Sequence, residues 1–188
     1  MTGTYSAHQL ALRAWNLLRT PNAESEKYFA AELSVLGGGS PSPRAANWVR
    51  RLHEYEMHWV AVSRPPRENT RARSTLPDGE RRLGEWARYQ RRFRDNLSAY
   101  QVARLTVSPG FDWDPLEALW LRRVTACEEH LARTHELPRL RQDDPTEFQL
   151  ARWLARELNA MRHRTLPTDR AARLDDLLRA ARRARAAA

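Results

Sequence analysis

The sequence predicts an all-α protein made of two tandem three-helix modules, preceded by a short helical N-terminal element. Apolar residues recur three or four positions apart, as in Trp48, Leu52, Tyr55 and Trp59, which is the spacing of one helix face. Runs that alternate apolar and polar residues, as half-buried strands do, are missing, and Val is sparse. The pattern also returns in the second half of the chain, where Trp120 follows Trp48 by 72 positions.

The composition of the chain favours a polyanionic partner. Over 188 residues the formal net charge is +9 and the sequence pI is about 10.8, and every Lys or Arg position except Lys27 is arginine. Such an excess favours nucleic acid first and an acidic protein surface second. A GC-rich genome would also enrich Arg and Ala, but that bias alone does not explain the positive balance.

Cysteine content and hydropathy limit where in the cell the protein is expected. Cys127 is the single cysteine, so an intramolecular disulfide or a thiolate zinc cluster is not expected. The first residues lack the pattern of a secretory signal, and no window approaches the eighteen or so apolar residues that a membrane span needs. We therefore expect no membrane association and a cytoplasmic, nucleoid-associated protein.

Residues 1–44 are predicted to be a separate helical element with a linker. Leu10, Ala14 and Leu17 make the apolar stripe of a first short helix, and a second short helix follows. Residues 37–43, Gly-Gly-Gly-Ser-Pro-Ser-Pro, are flexible at first and stiffer after, which favours a domain boundary there.

The first module is placed at residues 45–115. Its first helix is expected from about Ala45 to Val62, and a polar loop follows as far as Gly79. This loop carries four arginines: Arg64, Arg67, Arg71 and Arg73. The second helix has an apolar face made by Leu83, Trp86, Tyr89 and Phe93. Serine is favoured at the N-cap position of helices, so Ser98 predicts a short third helix that begins after it.

The second module is placed at residues 116–188 and repeats this plan in a diverged form. The apolar face of its first helix is predicted to contain Leu119, Trp120, Val124 and Leu131. Asp144-Pro145 opens its second helix, in which Trp153 stands for Trp86. Thr168 opens a third helix that continues into an Ala/Arg-rich C-terminus, where Arg179, Arg182, Arg183 and Arg185 form a basic cluster.

The segment from Leu83 to Trp113 resembles the helicase-associated domain family. The matching positions are Leu83-Gly84-Glu85-Trp86, Gln90-Arg91-Arg92, Leu97-Ser98, Val102-Ala103-Arg104-Leu105 and Gly110-Phe111-Asp112-Trp113. The interval between Trp86 and Leu97 is shorter than the family pattern, and in the second copy Glu157-Leu158 replaces the Gln-Arg pair. The resemblance implies small helical nucleic-acid-binding repeats, which usually follow bacterial helicase motors and sometimes stand alone.

Arginine-rich arcs on the two second helices are the predicted nucleic-acid contacts. They are made by Arg81, Arg88, Arg91 and Arg92 in the first module and by Arg152, Arg156, Asn159 and His163 in the second. A guanidinium can bind a phosphate or a guanine edge through two parallel hydrogen bonds. An ordinary solvated helix face is the alternative interpretation.

Base readout could come from Gln90, Arg91 or the third helices. In related three-helix folds the third helix enters the groove. The residues expected to be exposed on the third helices are Gln101, Arg104, Arg170 and Arg173. The tryptophans at equivalent positions, Trp48, Trp86, Trp120 and Trp153, are predicted to be core residues and not base-stacking platforms.

Catalysis, metals and cofactors are not predicted. Cys127, His130 and His135 lie close in sequence, but His135 does not share the helix face of the other two and a fourth ligand is not evident. The glycine run at residues 37–39 lacks the Lys and Ser/Thr of a phosphate-binding loop, so ATP hydrolysis is not expected.

The function predicted from sequence is therefore non-catalytic binding of double-stranded DNA, in transcription regulation or genome maintenance, without a small-molecule substrate. The alternative is a helical protein-interaction adaptor that docks an acidic partner or homodimerises.

Overall fold

The computed structural model describes residues 6–37, 42–68, 75–141 and 143–187. Within these ranges it contains eight α-helices and no strand, which confirms the all-α class. The helices are α1 (Ala7–Asn16), α2 (Ala23–Gly37), α3 (Pro43–Val62), α4 (Asp78–Arg92), α5 (Ala99–Val107), α6 (Pro115–Thr134), α7 (Pro145–Arg162) and α8 (Thr168–Ala187). None of the described helices combines the length and the apolar character that crossing a membrane requires.

The chain divides into two compact units, Met1–Trp113 and Asp114–Ala188. Each unit has its own apolar core. The boundary lies two residues before the one predicted between the modules.

Helix starts follow the local sequence signals. Ser98 caps α5 with a reciprocal pair of bonds: its hydroxyl accepts from the Gln101 N–H, and the Gln101 side chain accepts from the Ser98 N–H. Asp114 and Asp144 cap α6 and α7 through their carboxylates, each of which accepts from two backbone N–H groups of the first turn and is followed by proline. The predicted N-cap at Ser98 is confirmed.

Residues 1–44 are not a separate element, contrary to the prediction. Helix α1 packs on α5, and α2 packs on α3 and α5, so both belong to the first unit. Tyr28 and Ala31 of α2 are buried in the same core as Leu52 and Tyr100. The sequence pattern did not reveal this packing, because α2 contacts α5, which lies more than sixty residues later in the chain. Residues 38–41 of the predicted linker lie outside the described residues.

The buried face of α4 differs from the predicted one. Leu83 is buried, but Tyr89 is 58% exposed, and the stripe continues instead through Ala87 and Gln90. Positions 83, 87 and 90 are separated by four and three residues and therefore lie on one helix face, which the small Ala87 allows to pack closely. Phe93 follows the end of the helix, where its ring contacts Tyr89.

The second unit contains three helices around a core of its own. Trp120 and Val124 of α6 pack with Trp153 of α7 and with Leu174 and Leu177 of α8. The prediction of an apolar inward face on α6 is right for Trp120, Val124 and Leu131 and wrong for Leu119, which is 39% exposed.

Candidate nucleic-acid interface

Arg104 is a buried structural residue, so the prediction that it is exposed is wrong. Its side chain is 0% exposed. The guanidinium Nε donates to Glu32 Oε1 at 3.0 Å, and Nη1 and Nη2 donate to the two carboxylate oxygens of Glu56 at 2.7 and 2.9 Å. Because Glu32 lies on α2, the N-terminal helices supply half of the charge that neutralises Arg104.

Hydrogen bonds keep this buried cluster charged. Burial by itself would raise the pKa of Glu32, but bonds from His53 and Tyr100 and the charge of Arg104 lower it overall. Burial likewise opposes the charge on Arg104, yet its pKa is raised because Glu56 and Glu32 both contact the guanidinium. Burial raises the pKa of Tyr100, whose hydroxyl donates to Glu32 at 2.6 Å.

Gln90 and Gln101 are also buried, contrary to their predicted exposure as base-reading residues. They are 3% and 4% exposed. The Trp48 indole N–H donates to Gln90 Oε1 at 3.0 Å, and the Ser98 backbone N–H donates to Gln101 Oε1 at 3.0 Å. Gln90 joins α4 to α3, and Gln101 caps its own helix α5, so neither side chain projects from the surface as a base-reading group would.

Two of the four arginines predicted to form the α4 arc, Arg88 and Arg91, hold neighbouring chain segments instead. Arg91 is 13% exposed; its Nη1 bonds Glu68 Oε1 at 2.6 Å and its Nε donates to the Asp112 carbonyl at 2.6 Å. Arg88 donates to the Glu68 carbonyl and Arg81 pairs with Asp78.

Arg92 differs from its neighbours on α4. It is exposed, and its guanidinium lies 5.4 Å from the centre of the Phe93 ring. The four predicted contacts of this arc therefore reduce to one arginine that is open to a ligand.

Two loop arginines are bound to Glu80. Arg67 donates to this carboxylate from its backbone N–H at 2.9 Å and from its guanidinium at 3.0 and 3.1 Å, and Arg64 donates at 2.6 Å. These bonds hold the pKa of Glu80 well below its usual range, and those from Arg67 have the largest effect. Arg71 and Arg73 of the predicted loop lie outside the described residues.

The arginines of α8 are partly paired. Arg170 bonds Glu117 and lies 5.1 Å from the centre of the Trp120 ring, and Arg173 pairs with Glu128 at 3.0 Å. Arg179 pairs with two aspartates of its own helix. The remaining arginines of the predicted C-terminal cluster are exposed: Arg182, Arg183 and Arg185.

The predicted face of α7 has a different character from that of α4. All four of its residues are exposed: Arg152, Arg156, Asn159 and His163. Within the described part of the chain, neither arginine is paired with a carboxylate. The neighbouring acid, Glu157, turns inward, where it accepts the Trp120 indole N–H at 2.9 Å.

An aromatic side chain that the sequence pattern did not single out lies on this same face. The Arg152 guanidinium is 5.8 Å from the centre of the Phe148 ring, one helical turn earlier. Pro145, Phe148 and Gln149 line a shallow depression of about 450 Å³ beside Arg152. The four-residue spacing from Phe148 to Arg152 was the available signal.

Metal-binding and thiol chemistry find no support among the described residues. No group of three or more His, Cys, Asp or Glu there could hold a metal ion. Cys127 is fully buried, and burial raises the pKa of its thiol to about 12. His130 lies 3.5 Å from Glu147, whereas His135 ends α6 in an exposed left-handed conformation.

The tryptophans lie inward, as predicted. Trp48, Trp120 and Trp153 are 7%, 5% and 3% exposed, and Trp86 is partly buried against the first core.

Comparisons with protein-family models, with curated proteins and with solved structures found no match to this chain.

Proposed function

We propose that this chain is a non-catalytic DNA-binding protein that contacts duplex DNA through the exposed face of α7. The face consists of Arg152, Arg156, Asn159 and His163. The observation that carries the proposal is that both arginines are exposed and unpaired with carboxylates in the described structure, while the adjacent Glu157 is partly buried and accepts the Trp120 indole N–H.

The chemistry of this face suits phosphate contacts. Arg152 and Arg156 are four residues apart and are therefore neighbours on the helix surface, so both can reach one DNA strand. Guanidinium groups bind phosphate oxygens strongly and position a protein on the duplex. The Asn159 amide, one turn further on, can bond a base edge or a phosphate. A net charge of +9 adds long-range attraction to DNA.

We further infer that α3–α5 and α6–α8 are two copies of one three-helix plan. Trp48 donates to Gln90 at 3.0 Å, and Trp120 donates to Glu157 at 2.9 Å. In both units the acceptor lies four residues after the tryptophan of the second helix. This shared contact supports the resemblance to helicase-associated repeats.

Two further contacts recur at corresponding places in the two units, although their sequence separations differ. The backbone N–H of Arg67 donates to Glu80 at 2.9 Å, and that of Arg139 donates to Glu147 at 2.8 Å. The third helix of each unit also pairs an arginine with a glutamate of the first, Arg104 with Glu56 and Arg173 with Glu128. Two linked units would raise each other's effective concentration on DNA.

A gel shift with a salt series tests the DNA proposal. We expect the double variant Arg152→Glu plus Arg156→Glu to lose duplex binding, while its far-UV circular dichroism matches the parent because both side chains are exposed. For the parent, log affinity should fall linearly with log salt, by about 0.9 per phosphate contact. Arg91→Glu is a poor probe, because Arg91 holds Glu68 and the Asp112 carbonyl.

The matched control is Arg19→Glu plus Arg50→Glu, which makes the same change in net charge on exposed positions of the first unit. This control should keep most of the duplex affinity. Equal losses in the two double variants would show that net charge acts without a specific face, and unchanged binding by the α7 variant would refute the proposal.

A second candidate function is protein docking, which the exposed leucines of α6 favour. Leu116 and Leu119 are 75% and 39% exposed and lie three positions apart on one face of the helix. Apolar side chains grouped in this manner mark contact surfaces. If they form a homodimer contact, Leu116→Glu should convert a dimer to a monomer in sedimentation experiments, whereas a monomeric parent would argue against self-association.

A further inference from the structure

A pocket of about 270 Å³ lies in the first unit between the start of α3, the end of α4 and the start of α5. Two arginines, four side-chain amides, four aromatic residues and one leucine line it. No carboxylate is among the described residues that form its wall. Its chemistry is therefore that of a site for an anion with hydrogen-bond acceptors.

Two buried amide groups of the wall have donors to spare. Gln90 and Gln101 are 3% and 4% exposed, and their oxygens already accept from Trp48 and Ser98. No hydrogen bond within the described residues uses either amide nitrogen. Neither nitrogen is among the buried polar atoms that lack a partner, so both keep some accessible surface and are open to the pocket. A ligand in the pocket can therefore accept hydrogen bonds from both amides.

The rim of the pocket adds positive charge. Arg44 is exposed and has no carboxylate partner among the described residues. Arg51 lies two turns later on the same side of α3. Its Nη1 also contacts the Glu54 carboxylate at 2.8 Å. Guanidinium groups bind phosphate oxygens better than they bind most other anions, because the planar fork matches two oxygens.

Aromatic side chains form another part of the wall. Trp86 is partly buried, and Tyr89 is 58% exposed. Both line the pocket next to Gln90. The exposed Tyr89 ring is a stacking platform for a planar heterocycle.

We propose that this pocket binds a nucleotide unit, that is, a nucleoside monophosphate or one nucleotide of a single strand. Arg44 and Arg51 hold the phosphate, the amide nitrogens of Gln90 and Gln101 donate to acceptors of the ligand, and the base stacks on the exposed ring of Tyr89. This site is in the first unit and does not depend on the α7 face.

The second unit has different residues at the corresponding positions. Under the repeat inferred above, Glu157 stands for Gln90, Arg170 for Gln101 and Leu116 for Arg44. The Arg170 guanidinium lies over Trp120 and is bonded to Glu117. These replacements remove both amide donors and a rim arginine, so the site belongs to the first unit.

Titration of the full chain with adenosine and guanosine monophosphates tests the proposal, with tryptophan fluorescence and calorimetry as readouts. We expect saturable binding with a stoichiometry of one, tighter for a monophosphate than for inorganic phosphate or for the uncharged nucleoside. Equal affinity for inorganic phosphate or for the nucleoside would overturn the proposal, and so would the absence of saturation.

The decisive variant is Gln90→Glu, which keeps the fold but reverses the chemistry of the site. Its carboxylate can still accept the Trp48 indole N–H, as Glu157 does for Trp120. It replaces an amide donor by a negative oxygen facing the phosphate, so affinity should fall at least about tenfold. Arg44→Ala, at an exposed position, should weaken binding without any change in core packing.

The matched control is Asn22→Asp, which makes the same change in charge at the start of α2, away from the pocket. Asn22 caps Ser25 N–H through its side-chain oxygen at 2.8 Å, and a carboxylate keeps that bond. Nucleotide affinity should be unchanged in this control. Parental affinity in folded Gln90→Glu and Arg44→Ala, or an equal loss in Asn22→Asp, would overturn the assignment.

A short single-stranded oligonucleotide distinguishes the two sources of the nucleotide unit. If the oligonucleotide binds more tightly than a monophosphate, and Gln90→Glu abolishes that binding, the natural ligand is a single strand. If monophosphates bind and the oligonucleotide does not, the ligand is a free nucleotide. The α7 double variant should keep nucleotide binding. Loss of duplex binding in that variant and loss of nucleotide binding in Gln90→Glu are separate results, so either proposal can fail alone.

Discussion

At the scale of single residues, the arginine–glutamate pair between the third and the first helix of each unit is buried in one unit and exposed in the other. Arg104 bonds Glu56 with both side chains nearly inaccessible to solvent, whereas Arg173 contacts Glu128 with about half of its side chain exposed. The difference arises from α2, whose Glu32 covers Arg104. Solvent screens the exposed pair, and the buried one cannot lose a partner without stranding a charge.

Arg104→Ala should therefore destabilise the protein far more than Arg173→Ala. Removing the buried guanidinium leaves Glu32 and Glu56 uncompensated in the core, which costs about 3–5 kcal/mol. The exposed substitution should cost less than about 1 kcal/mol. Urea denaturation measures both. Similar costs for the two variants would contradict the structural role assigned to Arg104.

The carboxylate of Glu80 should make stability dependent on pH. Its pKa is lowered in the folded protein by Arg67 and Arg64, so the folded state favours the ionised form. The resulting stabilisation is complete above the unfolded pKa of about 4.3 and is lost as the pH falls from about 5 toward 2.

Glu80→Gln should flatten this dependence. Because the amide does not titrate, the free energy of unfolding of the variant should fall less between about pH 5 and pH 2 than that of the parent. Urea midpoints measured across this range provide the comparison. The same slope in both proteins would show that Glu80 does not contribute to acid unfolding.

At the scale of the elements, close approach of a loop to α4 explains Gly84. A Cβ atom at this position would lie 2.6 Å from the Arg67 carbonyl oxygen, which is backbone and cannot swing away. The same loop segment is fastened to α4 by Arg88 and Arg91 through Glu68. Arg88 and Arg91 therefore fasten Glu68, in the described part of the segment after α3, to α4.

Gly84→Ala should destabilise the protein, whereas Gly79→Ala should not. A Cβ at Gly79 would meet nothing within 4 Å. There the helix propensity of alanine should be neutral or add up to about 1 kcal/mol. Thermal unfolding of the two variants gives the comparison. A tolerated Gly84→Ala would mean that the loop does not hold this position in solution.

At the scale of the whole molecule, the N-terminal helices complete the first unit. Val49, Tyr100 and Arg104 are all 0% exposed. Tyr100 and Arg104 both contact Glu32 on α2. The N-terminal helices thus supply a carboxylate to the centre of the first unit.

Removal of residues 1–37 should therefore disrupt the first unit. It would strip the cover from an apolar surface and leave Arg104 without half of its counter-charge, so we expect loss of cooperative unfolding in that unit and increased binding of a hydrophobic dye. A shortened chain that unfolds as cooperatively as the parent would show that α1 and α2 are dispensable.

The sequence by itself determined the elements that depend on local physics. The three-to-four spacing of apolar residues defined the helices, Ser98 marked the start of α5, and the tryptophans were assigned correctly to the cores. These features depend on side chains within one or two turns of each other, which a linear pattern records.

Only the tertiary structure decided which arginines are open to a partner. Arg104 is neutralised by Glu32, 72 positions earlier, and Arg91 by Glu68, 23 positions earlier. Helical spacing places an arginine on a face, but the packing of distant segments determines whether that face meets a carboxylate or solvent. The accessible charge of α7 and the donor-lined pocket of the first unit both depend on that packing, because burial and ion pairing are set by residues that are remote in the chain.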